Sequence, residues 1–164
     1  MSNNAAPSDE GNQVPEDVAR SKSWFAAMEY YALILNRTYK VFITDQMLCG
    51  AKVRGLVSNP WVVPPEMLDQ EFWVRTQTAQ IYDSLDVTSA EFLQVNSTNF
   101  QIRWNEIAQM EYHPGRKWGM GNVPHSGRLI LQLQSGQPRE LILLGKQNGG
   151  ALKDNLARFM KARS

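Results

Sequence analysis

Both histidines of the chain, His113 and His125, fall in one stretch, HPGRKWGMGNVPHSGR, with four of the eleven glycines and three basic side chains. Arg116, Lys117 and Arg128 are types that hold an anion, and glycines at 115, 119, 121 and 127 let backbone amides approach one. Trp118 offers a flat apolar wall beside them, and Asn122 offers further hydrogen bonds. A metal site would pair His113 with His125 and still need Glu111 or another carboxylate to complete it. An enzyme would use His113 or His125 as acid–base, but no second catalytic group accompanies either. The "GMG" within the stretch lacks the third glycine and the strand-turn-helix setting of a dinucleotide fingerprint. No nucleophile elbow is present, and Cys49, following Leu48 in a strand-like run, reads as a small core residue. Three readings therefore stay open: an unusually decorated loop, a protein or peptide contact, and an anion site. The density of special residues in one long loop is what makes the last two worth carrying.

The elements that must position this stretch are read from periodicity. Residues 1–22 are poor in large apolar side chains and are expected to form a disordered tail, with a single domain over 23–164. Trp24, Phe25, Met28, Tyr31, Ala32 and Leu35 recur at helical spacing after Ser23, so a helix is expected there, with a strand near Tyr31 as the alternative. Tyr39, Val41 and Ile43 alternate, "TDQ" supplies a turn, and Met47 to Val53 can pair back as a hairpin. A proline-bounded insertion over about 56–85 follows, with Pro65 at the start of a helix expected to run to residue 84. "EFLQV", "NFQIRW" and "IAQMEY" read as three short strands. "RLILQLQSGQPRELILLG" reads as a hairpin and "NGGALKDNLARFMKAR" as an amphipathic helix, with Leu152, Leu156, Phe159 and Met160 as its buried stripe. The sum is about seven strands and a C-terminal helix: a mainly β, α+β chain in which the helix closes one end of a small barrel.

With the elements laid out, "YKVFITDQMLCG" resembles the second-strand signature of bacterial pleckstrin-homology-like domains, including the GRAM-like group. "FQIRWNEIAQMEY" and "RLILQLQSGQPRELILLG" with its helix resemble other parts of the same pattern, over roughly Thr38 to Arg163. The resemblance implies a small barrel of about seven antiparallel strands with a C-terminal capping helix. The segment Leu56 to Leu85, placed between the second and third strands, has no counterpart in it. Phosphoinositide-binding members carry basic residues on a longer loop between their first two strands, where this chain offers only "TDQ". Lys52 and Arg54 share one face of the following strand.

Seventeen basic against sixteen acidic residues give a net charge of +1, without the basic surplus of a general nucleic-acid binder. One cysteine forms no internal disulfide and fits a reducing, cytoplasmic setting. No signal peptide is visible, and the most apolar run, Trp24 to Leu35, is short of a membrane span and carries Glu29. No cofactor is implied. The expectation is a non-catalytic interaction or adaptor module for a protein or peptide partner, using His113, Arg116, Lys117, Trp118, Asn122, His125 and Arg128. The alternatives are a phospholipid or phosphate ligand held by the same loop, and a small enzyme using one of its histidines. Five tryptophans, at 24, 61, 73, 104 and 118, are the other candidates for a surface, since exposed aromatics anchor interfaces.

Overall fold

A computed structural model describes residues 23–162. The expected tail therefore lies outside the described residues. Seven antiparallel strands form one curled sheet in the order β4-β3-β2-β1-β7-β6-β5. They are β1 (Ser23–Tyr30), β2 (Asn36–Ile43), β3 (Met47–Arg54), β4 (Phe100–Arg103), β5 (Ile107–His113), β6 (His125–Leu133) and β7 (Pro138–Leu144). Between β3 and β4 the insertion carries three short helices, α1 (Gln70–Val74), α2 (Gln77–Asp83) and α3 (Ala90–Val95), and α4 (Gly149–Ala162) follows β7. The fold is mainly β and barrel-like, as the alternation of the hairpins implies.

Both faces of the central strands are buried, and this explains the elements that periodicity misassigned. On the concave face Phe25, Ala27, Tyr39, Val41, Leu129 and Leu141 form a core closed by Leu156 of α4. Leu152, Phe159 and Met160 pack on the same core, and Phe159 stacks on Trp104 at 5.2 Å, so the expected stripe of α4 is the stripe that is used. On the convex face Ala26, Met28, Phe42, Cys49 and Ile142 meet Trp73, Tyr82 and Phe92 from the insertion. Residues 23–30 form a strand rather than the expected helix. Phe25 and Ala27 serve one core and Ala26 and Met28 the other, so the polar alternation that marks a one-sided strand is missing.

"EFLQV" is the opposite correction: it lies in α3 and only Phe92 is buried there. A helix needs one apolar stripe, and a single aromatic on the core supplies it. The helix expected over 65–84 is broken into a 3-10 turn at Pro65–Leu68, then α1 and α2. Asp69 and Thr76 cause the breaks, their side chains accepting from the amides of Glu71 at 2.9 Å and Ala79 at 3.0 Å as N-caps. The insertion is pinned to the sheet by Lys40, whose Nζ meets Asp83 at 2.6 Å between the Trp24 and Phe42 rings.

Candidate functional site

The stretch that joins β5 to β6 is a loop folded back on the convex face. Gly119 and Gly121 have φ of 88° and 56°, a left-handed backbone that side chains resist, and they flank Met120. Met120 and Val123 are buried in the convex core and anchor the loop from within. His125 locks it from behind: the Lys117 amide donates to Nε2 at 3.0 Å, so the proton sits on Nδ1, which donates to the Val123 carbonyl at 2.9 Å. Arg116 donates to the Gly121 carbonyl at 2.6 Å. Asn122 reaches across to the insertion. Its amide donates to Asn59 Oδ1 at 2.7 Å and its Nδ2 to the Pro60 carbonyl at 3.1 Å. The two loops touch so closely there that a Cβ on Gly121 would collide with the Asn59 side chain.

The expected site residues therefore separate by task. Arg116, Asn122 and His125 hold the loop's own shape. Lys117 and Arg128 converge on Glu140, at 2.7 and 3.7 Å, while Arg116 is turned away, so the three basic groups do not enclose one anion. His113 stands apart on β5, paired with Glu111 at 3.1 Å. Trp118 makes no such contact and is 97% exposed, and Trp61 on the clasped loop is 98% exposed. Trp73 and Trp104 are buried, with indole N–H groups donating to the carbonyls of Met67 at 2.9 Å and Thr44 at 3.1 Å. Among the described residues, no group of three His, Cys, Asp or Glu side chains could hold a metal ion.

Sequence reasoning missed the third part of this surface. The first hairpin loop is not "TDQ" but residues 31–35, between β1 and β2, where Leu33 is fully exposed and Ile34 is 77% exposed. The signal was the continuation of an apolar run past any helical stripe, closed by Asn36. The buried Asn36 amide ties this tip to the insertion: its Nδ2 donates to the Val57 carbonyl at 3.0 Å and its Oδ1 accepts from the Val57 amide at 2.9 Å. Loops 31–35, 55–62 and 114–124 are thus chained into one rim by Asn36, Asn59 and Asn122.

No protein-family model and no curated protein matches the chain. Among solved structures, the C-terminal domain of an unknown protein from Leishmania infantum is similar over 84% of this chain and 82% of that one, at 11% identity and a TM-score of 0.42. So slight a likeness carries no weight. Among the described residues no helix is long and apolar enough to cross a membrane.

Beneath the rim, the inward end of β1 holds an ionic cluster. Glu29 accepts from Arg37 at 3.0 Å, Arg139 at 3.0 Å and the Tyr39 hydroxyl at 3.3 Å. The Arg139 guanidinium carbon sits over the Phe100 ring, 3.6 Å from its centre. Burial, reinforced by the Glu29 charge, pushes the Tyr39 phenol above its ordinary value, so it serves the cluster as a neutral donor. Next to the cluster a cleft of about 420 Å³ opens between Tyr30 on β1 and Glu140 on β7, with Lys117 at its border.

Proposed function

We propose that the chain is a non-catalytic, pleckstrin-homology-like interaction module that docks a protein partner on the rim of loops 31–35, 55–62 and 114–124. The strand order and the C-terminal helix packed on the concave core support the architectural part of this reading. One observation carries the functional part. Trp61 and Trp118 are almost wholly exposed on two loops that asparagine hydrogen bonds join, and Leu33 and Ile34 are exposed on the third loop tied to them. Folding leaves large aromatics outside at a cost in solubility, and fixed aromatic anchors ringed by polar groups are the energetic centres of interfaces. His125 has a structural place in the loop, because both of its ring nitrogens are occupied by backbone groups.

An anionic lipid surface is the second reading, favoured by charge. Segments 29–37, 52–62, 114–124 and 138–140 carry six basic residues against two acidic, whereas the other described residues carry eight basic against ten acidic. The test is a photocrosslinking amino acid at position 61 or 118 of the full chain, compared with the same chains carrying Leu33→Ser and Ile34→Ser. The reading expects one protein crosslinked from both positions and lost with the tip substitutions. Crosslinks unaffected by the tip, or none, would sink it. Sedimentation with phosphatidylserine-containing vesicles but not with neutral ones, abolished by the same substitutions, would move the rim to the lipid reading.

A further inference from the structure

β1 pairs with β2 over its whole length, from Ser23↔Ile43 to Tyr30↔Asn36, but with β7 only at Ala27↔Leu143 and Met28↔Ile142. On one side of that short ladder, side chains complete the main chain. The Ala26 amide donates to Gln70 Oε1 at 3.4 Å, and Gln147 Nε2 donates to the carbonyls of Ala26 at 2.8 Å and Leu144 at 2.7 Å. On the other side nothing comparable is built. The strands part, and Tyr30 and Glu140, which the same register would bring opposite each other two residues beyond Met28↔Ile142, line the cleft of about 420 Å³. Two sheet edges left without a neighbour are a template for an added strand.

The side chains around the cleft are also incomplete. Of the cations, Arg139 and Lys117 line the cleft with Glu29 and Glu140, and each carboxylate is also shared with a cation outside the lining, Arg37 and Arg128, so four cations are held by two anions. The Nε group of Arg139, which lines the cleft, is buried and has no acceptor among the described residues; Arg128 Nε and Glu140 Oε1 are likewise without a hydrogen-bond partner. Buried donors in native proteins are almost always matched, so the unmatched Arg139 Nε beside the cleft points to an acceptor that arrives with a ligand. The floor is apolar, made by Ile130 and Ile142.

We propose that this seam binds the C-terminal end of an extended peptide. The peptide main chain adds to the edges at Tyr30 and Glu140, its terminal carboxylate takes the excess positive charge of Arg139 and Lys117, and an apolar last side chain rests on Ile130 and Ile142. The occupant is a chain end because the walls meet at Met28↔Ile142, so a strand that enters cannot continue through. The inference rests on the interaction-module reading and names the kind of partner such a module would take.

The experiment uses the full chain labelled with ¹⁵N and a panel of N-acetylated hexapeptides ending in Val, Ile or Leu, each as the free acid and as the C-terminal amide. The free acids should give saturable amide shifts at Tyr30, Arg139 and Glu140, and the amides should bind about tenfold more weakly or worse, as loss of a charge-assisted hydrogen bond requires. Ile130→Trp should fill the cleft and abolish binding. If that variant fails to fold, Lys117→Gln on the outer loop should bring the free acids down towards the affinity of the amides. Equal binding of acid and amide, or no saturable shift at all, overturns the proposal. Shifts confined to residues 31–35, 61 and 118 overturn it too, while leaving the rim as the docking surface.

Discussion

Replacing Tyr39 by Phe tests how the ionic cluster behind the rim is held. The Tyr39 ring is fully buried and meets Phe100 edge-on at 5.1 Å, a contact that Phe keeps. Only the hydroxyl is lost, with its donation to the Thr98 carbonyl at 2.9 Å and its longer approach to Glu29 at 3.3 Å. One neutral bond and part of a charged one, with an acceptor left under-satisfied, should cost about 1–2 kcal/mol near neutral pH. Urea unfolding followed by tryptophan fluorescence measures this, because Trp73 and Trp104 are buried. The pH dependence is the sharper test. The folded phenol lies above its ordinary value of 10.0, so the unfolded chain loses the proton first as pH rises. Between the two pKa values the folded state binds more protons, and the parent loses stability at up to about 1.4 kcal/mol per pH unit. That contribution is intact below the unfolded value and vanishes upward through the folded one. Tyr39→Phe has no such loss, so the stability gap between parent and variant should narrow from about pH 10 upward. A gap that is absent near neutrality, or that stays constant or widens in alkali, would refute the assignment of Tyr39 as a buried neutral donor.

Met120→Ala should destabilise by about 2–4 kcal/mol in the same assay, since a buried thioether leaves a cavity, whereas Trp118→Ala should stay within about 0.5 kcal/mol. Similar costs at the two positions would contradict the inward and outward assignments. Asn59→Ala removes the acceptor of the Asn122 amide and should cost about 1 kcal/mol while speeding hydrogen exchange at that amide. Unchanged exchange would show that the two loops are not clasped. A chain ending before Gly149 loses Leu156 and its neighbours from the concave core and should lose several kcal/mol, at about 1.5–3 for each large buried side chain. Melting at the parent's temperature would exclude α4 as a closing element.

The hairpins and α4 were legible because each obeys one period. Leu129 and Leu131 alternate with Ile130 and Gln132, and Leu152, Leu156, Phe159 and Met160 repeat at helical spacing. β1 was not legible because it is buried on both faces, and the covering insertion is distant in sequence. A run such as "WFAAMEY" scores as helix until something is known to lie on its second face. α3 failed for the reverse reason, since a short aromatic and β-branched segment with one buried residue carries too little pattern to outweigh its strand propensity. The first of these errors hid the first hairpin loop, and with it the exposed Leu33 and Ile34. The stretch 113–128 was legible as a loop between paired strands, and the register His113↔Arg128 bears this out. Its division of labour was not, because bonds from Asn122 to Asn59 and Pro60, and from Lys117 to Glu140, join residues far apart in the chain.

The glycines of that loop show how one composition can serve a purpose other than the one it resembles. Spaced glycines among basic residues read as a cradle for phosphate. Here Gly119 and Gly121 adopt positive φ on either side of Met120, turn its side chain into the convex core, and leave Trp118 facing out. A loop under selection for burial alone would put the larger apolar side chain inside and the smaller one outside, because burial energy grows with apolar area. The opposite arrangement, fixed by two left-handed glycines, a histidine clasp and an asparagine bridge, holds the tryptophan in place without covering it. That combination of rigidity and exposure is what a pre-organised contact needs, since little ordering remains to oppose binding.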